Sequence, residues 1–169
     1  TCGIQEQKAP REVFVPQKPI AYRDEVSGSE LLMIPAEKTS YSVMIDFNTK
    51  VLGSQNATLE QLDDFKTDIA PSRTFSFLHE LEQLLAHGLI KGGDLNNAIV
   101  YVDKPLAEST MQSLKKAFGK SEIAVKPNGI LDNLTLHFPN EAARHKLLDV
   151  MGDLALIGMP VQAKIIATK

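Results

Sequence analysis

The chain has a single cysteine, Cys2, in 169 residues, so no internal disulfide framework is available to it, and a lone thiol fits a reducing compartment, the cytoplasm by default. No apolar run reaches the roughly 18 residues that a membrane-spanning helix needs, and the first residues lack the charged and apolar regions of a signal peptide. A cationic block is also missing. The 18 Lys and Arg are outnumbered by 21 Asp and Glu, which argues against a nucleic-acid footprint and leaves a small molecule or a protein as the expected partner. There is no Gly-x-Ser-x-Gly elbow, and Cys2 sits at a chain end, so a self-contained serine or cysteine hydrolase has little to work with. No internal repeat or low-complexity tract competes with an ordinary globular reading. The chain opens at Thr1 without a methionine and closes on a strand-like run from Val161 to Ala167; both ends are expected to be introduced cuts.

What is present is enough apolar material, 43% of residues, for one core and one domain over residues 1–169. Glu12–Val15, Pro19–Tyr22 and Leu31–Ile34 are short β-prone runs, and Tyr41–Phe47 alternates large apolar with polar residues, the period of a strand with one buried face. These predict a meander of antiparallel strands. Helical spacing of Phe77, Leu78, Leu81, Leu84 and Leu85, stopped by Gly88, predicts a helix over Phe77–Ala86. A second helix is expected over Glu141–Ile157, opened by Pro139-Asn140 and closed by Gly158 and Pro160. Ala98–Val102 and Leu134–Phe138 read as strands, and Glu108–Phe118 as a smaller helix with Met111, Leu114 and Phe118 on one side. The fold class that follows is α+β. It is a two-layer sandwich with a mainly antiparallel sheet of about five strands and two main helices on one face, plus a small β-α-β-like region and an extra insertion near 106–136.

Chemistry concentrates on the second helix. His145, Asp149 and Asp153 are spaced four and four, which at 100° per residue confines them to a stripe about 80° wide. Leu147, Leu148, Val150, Met151, Leu154 and Ile157 occupy the remaining arc, so the helix can dock on a sheet and still present the polar stripe outward. A His and a carboxylate one turn apart can ligate one metal. They can equally be a solvated pair on a polar face. Spacing leaves both open.

The residues around the stripe carry a resemblance. Arg144-His145-Lys146-Leu147-Leu148-Asp149-Val150-Met151-Gly152-Asp153 through Gly158 is similar to the helix signature of the UDP-3-O-acyl-N-acetylglucosamine deacetylases, enzymes of lipid A synthesis. Ser72-Arg73-Thr74-Phe75-Ser76-Phe77, Gly88–Gly93 and Asn97–Val100 match further family stretches, and Gly3–Gln7 resembles the junction between the family's two domains. The resemblance implies a zinc-dependent amidase that removes an N-acetyl group, with this chain as its second domain. It implies that His145 and Asp149 are two of three protein zinc ligands, that Asp153 pairs with a late catalytic His, and that the Thr74 hydroxyl assists the reacting carbonyl and its oxyanion. Phe75 would pack on the sugar, Lys146 would lie near the substrate head group, and Leu78, Leu81, Ile90 and Leu95 would line the acyl-chain passage. His79, His87 and His137 match no motif and are expected to be surface or structural residues. Without the resemblance, Phe75, Phe77, Leu81 and Leu84 would read as core and Lys146 as a solvated charge.

In such an enzyme the remaining zinc His and a Glu base come from the first domain, and the late His follows the last strand in a Gly-His context. Neither segment lies between Thr1 and Lys169, so the zinc site is expected to be incomplete here and the chain inactive alone. The insertion over Glu108–Thr135 resembles the Bacteroidetes subgroup, in which the deacetylase is fused to a 3-hydroxyacyl-(acyl carrier protein) dehydratase. The alternative reading is a non-catalytic domain of the same fold that binds an acyl chain or a protein. Retention of Thr74, His145, Lys146, Asp149 and Asp153 together separates the two, because a scaffold needs none of them.

Overall fold

The computed structural model describes residues 3, 5–81, 97–105, 108–119, 122–132 and 134–169. Five strands form the main sheet: β1 (Ile20–Arg23), β2 (Glu30–Pro35), β3 (Ser40–Asp46), β4 (Ser54–Leu59) and β7 (Ala163–Thr168), in the order β1-β2-β7-β3-β4. In β3 the alternation legible in the sequence becomes a buried row of Tyr41, Val43 and Ile45. Helix α3 (Glu141–Ala155) lies on β3 and β4. It buries Ala142, Ala143 and Leu147 against them, and Leu148, Val150, Met151 and Leu154 pack at the margin of the same core. Burying this one arc is what fixes the helix rotation and turns its opposite side outward.

The simple meander expected at the start of the chain is corrected by β7, which separates β2 from β3. It pairs antiparallel with β2 and parallel with β3, so that Met33, Ile165 and Tyr41 stand side by side. Ala163 and Ile165 are almost fully buried, and a strand with such a stripe is stabilised most by neighbours on both sides. The exposed β1 takes the edge instead. Residues 36–39 need only cross two strand spacings, about 10 Å, which four residues do easily.

Three local expectations also change. Glu12–Val15 contributes one bridge, Phe14 with Val161, rather than a strand. Leu134–Phe138 forms no ladder: Leu134 and Leu136 do pack inward, but the Thr135 carbonyl and the His137 N–H are taken by side chains, Arg73 and Glu141. The sequence β4, with only Ala57 and Leu59 apolar, carries too weak an alternation to have been recognised. Helix α3 ends at Ala155, and Leu156 and Ile157 are exposed before the turn at Gly158, whose φ is 83°.

Beside the main sheet, after the short helix α1 (Phe65–Asp68), β5 (Thr74–Phe77) and β6 (Ala98–Tyr101) pair in parallel; Phe77, expected to open a helix, ends β5 instead, and residues 78–81 are helical. The rest of the helix expected to Ala86 lies outside the described residues. Leu78 and Leu81 pack with Val100, Leu131 and Leu114, the last from α2 (Glu108–Phe118), in a second small core. The insertion is fastened to the main body at Gly129. Its φ is 76°, and a β-carbon there would come within 2.5 Å of Val51 Cγ1, on the β3–β4 connection. Gly129→Ala is therefore expected to cost about 1–3 kcal/mol, from the left-handed backbone and the displaced Val51 together; urea titration of both proteins checks it.

Candidate functional site

The polar stripe of α3 has four members. Glu141, His145, Asp149 and Asp153 follow one another at single-turn intervals and emerge from the protein in order. The side chain of Glu141 is 0% exposed, that of His145 17% and that of Asp149 38%, and Asp153 is exposed. Sequence reasoning missed Glu141, taking it only as the helix start, although its position four residues before His145 was available as a signal.

Glu141 is held as a carboxylate from several sides. Arg73 donates to it from Nε at 2.8 Å, from Nη2 at 3.1 Å and from its backbone N–H at 3.0 Å, and the His137 N–H donates at 2.7 Å. Burial by itself would raise the Glu141 pKa, but the guanidinium and the two backbone donors outweigh it and hold the group below its ordinary value of 4.5. One residue before Arg73, the Ser72 carbonyl lies 3.2 Å from His145 Nδ1. A carbonyl can only accept, so Nδ1 carries the proton. His145 Nε2 then faces Asp149 Oδ1 at 3.5 Å, while Lys146 Nζ donates to the other oxygen, Oδ2, at 2.8 Å.

This geometry bears on the two readings of the stripe. With Nδ1 protonated, neutral His145 turns a lone pair toward a carboxylate oxygen, an arrangement of two acceptors that calls for a second ring proton or a cation between them. With Zn–N and Zn–O bonds of 2.0–2.2 Å at a tetrahedral angle, two ligand atoms stand about 3.4 Å apart. The observed 3.5 Å fits such an edge, so the donor set suits zinc. Among the described residues no group of three or more His, Cys, Asp or Glu converges, and His145 and Asp149 are the pair the stripe offers.

The remaining predicted residues fall around this pair. Thr74 opens β5 with an exposed side chain, two residues from the Ser72 carbonyl that His145 touches, and α3 packs against that strand. Phe75 is half-buried in an edge-to-face cluster with Phe47, Phe77 and Tyr101, and Lys146 Nζ lies 5.6 Å from its ring centre. Tyr101 is buried, which pushes its hydroxyl up to about 12 and keeps it neutral. Asp153 and Asp149 border a groove of about 320 Å³ shared with Lys146, Val150, Tyr22 and Leu31. Leu78 and Leu81 belong to the second core rather than to this groove, and Ile90 and Leu95 lie outside the described residues. His79 pairs with Asp103 at 3.0 Å and stacks on Phe77; His137 is exposed; His87 lies outside the described residues.

The α+β domain thus presents an imidazole, a carboxylate, a lysine and a threonine hydroxyl at one helix–strand junction. Comparison with known proteins gives the family. A family model for UDP-3-O-acyl N-acetylglycosamine deacetylase matches residues 1–118 and 110–169, and the chain belongs to that family. It is 42% identical to the bifunctional enzyme LpxC/FabZ of Bacteroides thetaiotaomicron over 167 residues, 99% of this chain and 36% of that protein. The bifunctional enzyme LpxC/FabZ of Porphyromonas gingivalis is 45% identical over 166 residues, 98% of this chain and 36% of the relative. The UDP-3-O-acyl-N-acetylglucosamine deacetylase of Helicobacter hepaticus is 37% identical over 161 residues, 95% of this chain and 45% of the relative. The chain thus spans between a third and half of the relatives it matches, and corresponds to the second deacetylase domain. No helix among the described residues is long and apolar enough to cross a membrane.

Proposed function

We propose that this chain is the metal-holding, substrate-facing domain of a zinc-dependent amidase that removes the N-acetyl group from UDP-3-O-(3-hydroxyacyl)-N-acetylglucosamine in lipid A biosynthesis. We also place that enzyme in the cytoplasm, in a protein fused to a 3-hydroxyacyl-(acyl carrier protein) dehydratase; the Bacteroides and Porphyromonas relatives are named as bifunctional enzymes. The observation that carries the reading is the convergence of His145 Nε2 and Asp149 Oδ1 with each partner's second atom already occupied. His145 and Asp149 would hold the zinc, which when bound supplies Lewis-acid polarisation of the amide carbonyl and acidifies a water. The Thr74 hydroxyl, exposed at the start of β5, donates to the oxygen that gains charge as the carbonyl becomes tetrahedral. Phe75 offers a ring face to the sugar, and Lys146, already neutralised in part by Asp149, can turn toward an anionic head group. Asp153 orients the imidazole of a His supplied after β7 so that its far nitrogen can deliver a proton to the leaving amine. Leu78, Leu81, Ile90 and Leu95 would contribute the wall along the acyl chain. A general base and a third ligand come from the first domain, so the 169-residue chain assayed alone should release no acetate.

The test is acetate release from this substrate by the full-length protein, with and without chelator. Activity should vanish with the metal and return with zinc. Turnover indifferent to chelation would contradict the proposal. Thr74→Ala is expected to lower kcat by about 10²–10³-fold, the usual loss for one oxyanion donor, with zinc content unchanged.

A further inference from the structure

We infer that Glu141 and Arg73 are positioning residues for the metal pair: by clamping the peptide between residues 72 and 73 they aim the Ser72 carbonyl at His145 and so fix which ring nitrogen faces Asp149. This rests on the metal-site reading above and extends it to residues that touch neither metal nor substrate.

The Ser72 carbonyl and the Arg73 N–H belong to one planar peptide group, and in a trans peptide they point in opposite directions; there is no cis peptide among the described residues. The N–H end is held by Glu141 Oε1 at 3.0 Å, and the carbonyl end meets His145 Nδ1 at 3.2 Å. Glu141 and His145 are successive members of one helix stripe. The peptide therefore spans one helical turn, anchored at the buried residue and reading out at the half-exposed one. Rotating that peptide would break both hydrogen bonds together, because the carbonyl and the N–H are parts of one rigid plane. The Arg73 side chain closes the clamp on the same carboxylate through Nε and Nη2, and Nη2 also donates to the Thr135 carbonyl at 2.6 Å. The segment leading into Thr74 is thereby tied to helix α3 on both sides of the peptide. A buried ion pair is a poor choice if packing is all that is wanted, since apolar residues of similar volume stabilise as well or better. It is a good choice where a carbonyl must point one way, because outer partners of a metal-ligating His set its tautomer and ring orientation.

The experiment compares three full-length proteins: wild type, Glu141→Gln, and the double variant Arg73→Met/Glu141→Met, which leaves no buried charge unpaired. Zinc affinity is read by chelator competition at a temperature where circular dichroism shows each protein folded, and kcat and KM are read separately. Zinc affinity is expected to fall about 10–100-fold in the double variant, with kcat lowered and KM close to wild type; Glu141→Gln should move the same way. A purely structural role would lower the melting temperature and leave zinc affinity of the folded protein unchanged, and that result would overturn the inference. If the double variant does not fold, Glu141→Gln decides by the same criterion. Wild type that binds no zinc would instead sink the metal-site reading, so the two failures are distinguishable.

Discussion

In the full-length protein, His145→Ala is expected to reduce kcat/KM by about 10³-fold or more while leaving the melting temperature nearly where it was. The size follows from what the side chain would hold. Lewis-acid stabilisation of a reacting carbonyl is worth several kcal/mol, and each 1.36 kcal/mol is a factor of ten in rate. The small effect on stability follows from the contacts. Among the described residues His145 makes one hydrogen bond, to the Ser72 carbonyl, and a 3.5 Å approach to a part-exposed carboxylate, which together stabilise the fold by about 1–2 kcal/mol. A structural histidine would show the reverse pattern, with lost stability and residual activity. Steady-state kinetics and a thermal melt on the same preparation separate the two.

The largest expected effect on stability lies four residues earlier. Glu141→Ala leaves the Arg73 guanidinium, two backbone N–H groups and a fully buried space without their partner. Removing one member of such a buried pair costs about 3–5 kcal/mol, a large part of the 5–15 kcal/mol that holds a typical domain together. The same pair sets a pH dependence. Because the folded protein keeps the Glu141 pKa below 4.5, its contribution is fully present above that value and is lost as pH falls through the lower folded value. Denaturant unfolding from pH 7 down to pH 3 should show wild type losing stability only on the acid side, below about pH 4.5, and Glu141→Gln should flatten that limb.

These two residues show how far the sequence could be read. His145 and Asp149 were legible because a helix repeats its face every turn, so spacing alone placed them together, and the apolar arc of Leu147, Val150 and Leu154 said which way that face would turn. Glu141 lies on the same stripe but reads as an ordinary acid in a first turn. Its function comes from Arg73, 68 residues away, and no local pattern reports a partner at that distance. The groove beside Asp153 was hidden for a related reason. Its wall from Tyr22 and Leu31 faces α3 in a sheet whose order depends on β7 entering between β2 and β3, which is a matter of long-range pairing and leaves no trace in the early strands. The alternation of Leu134–Phe138 predicts a strand, and Leu134 and Leu136 do pack inward, but the Thr135 carbonyl and the His137 N–H that a ladder would need go to Arg73 and Glu141 instead.

The role proposed for α3 is to supply two ligands of a zinc site. Zinc content of the purified full-length protein tests it most directly, measured by atomic emission after dialysis against metal-free buffer, for wild type and for His145→Ala/Asp149→Ala. Wild type should retain about one zinc per chain, as expected of a single catalytic site, and the double variant almost none while still giving a cooperative melt. A folded double variant that keeps the wild-type zinc content would place the metal elsewhere and reduce the stripe on α3 to a solvated ion pair.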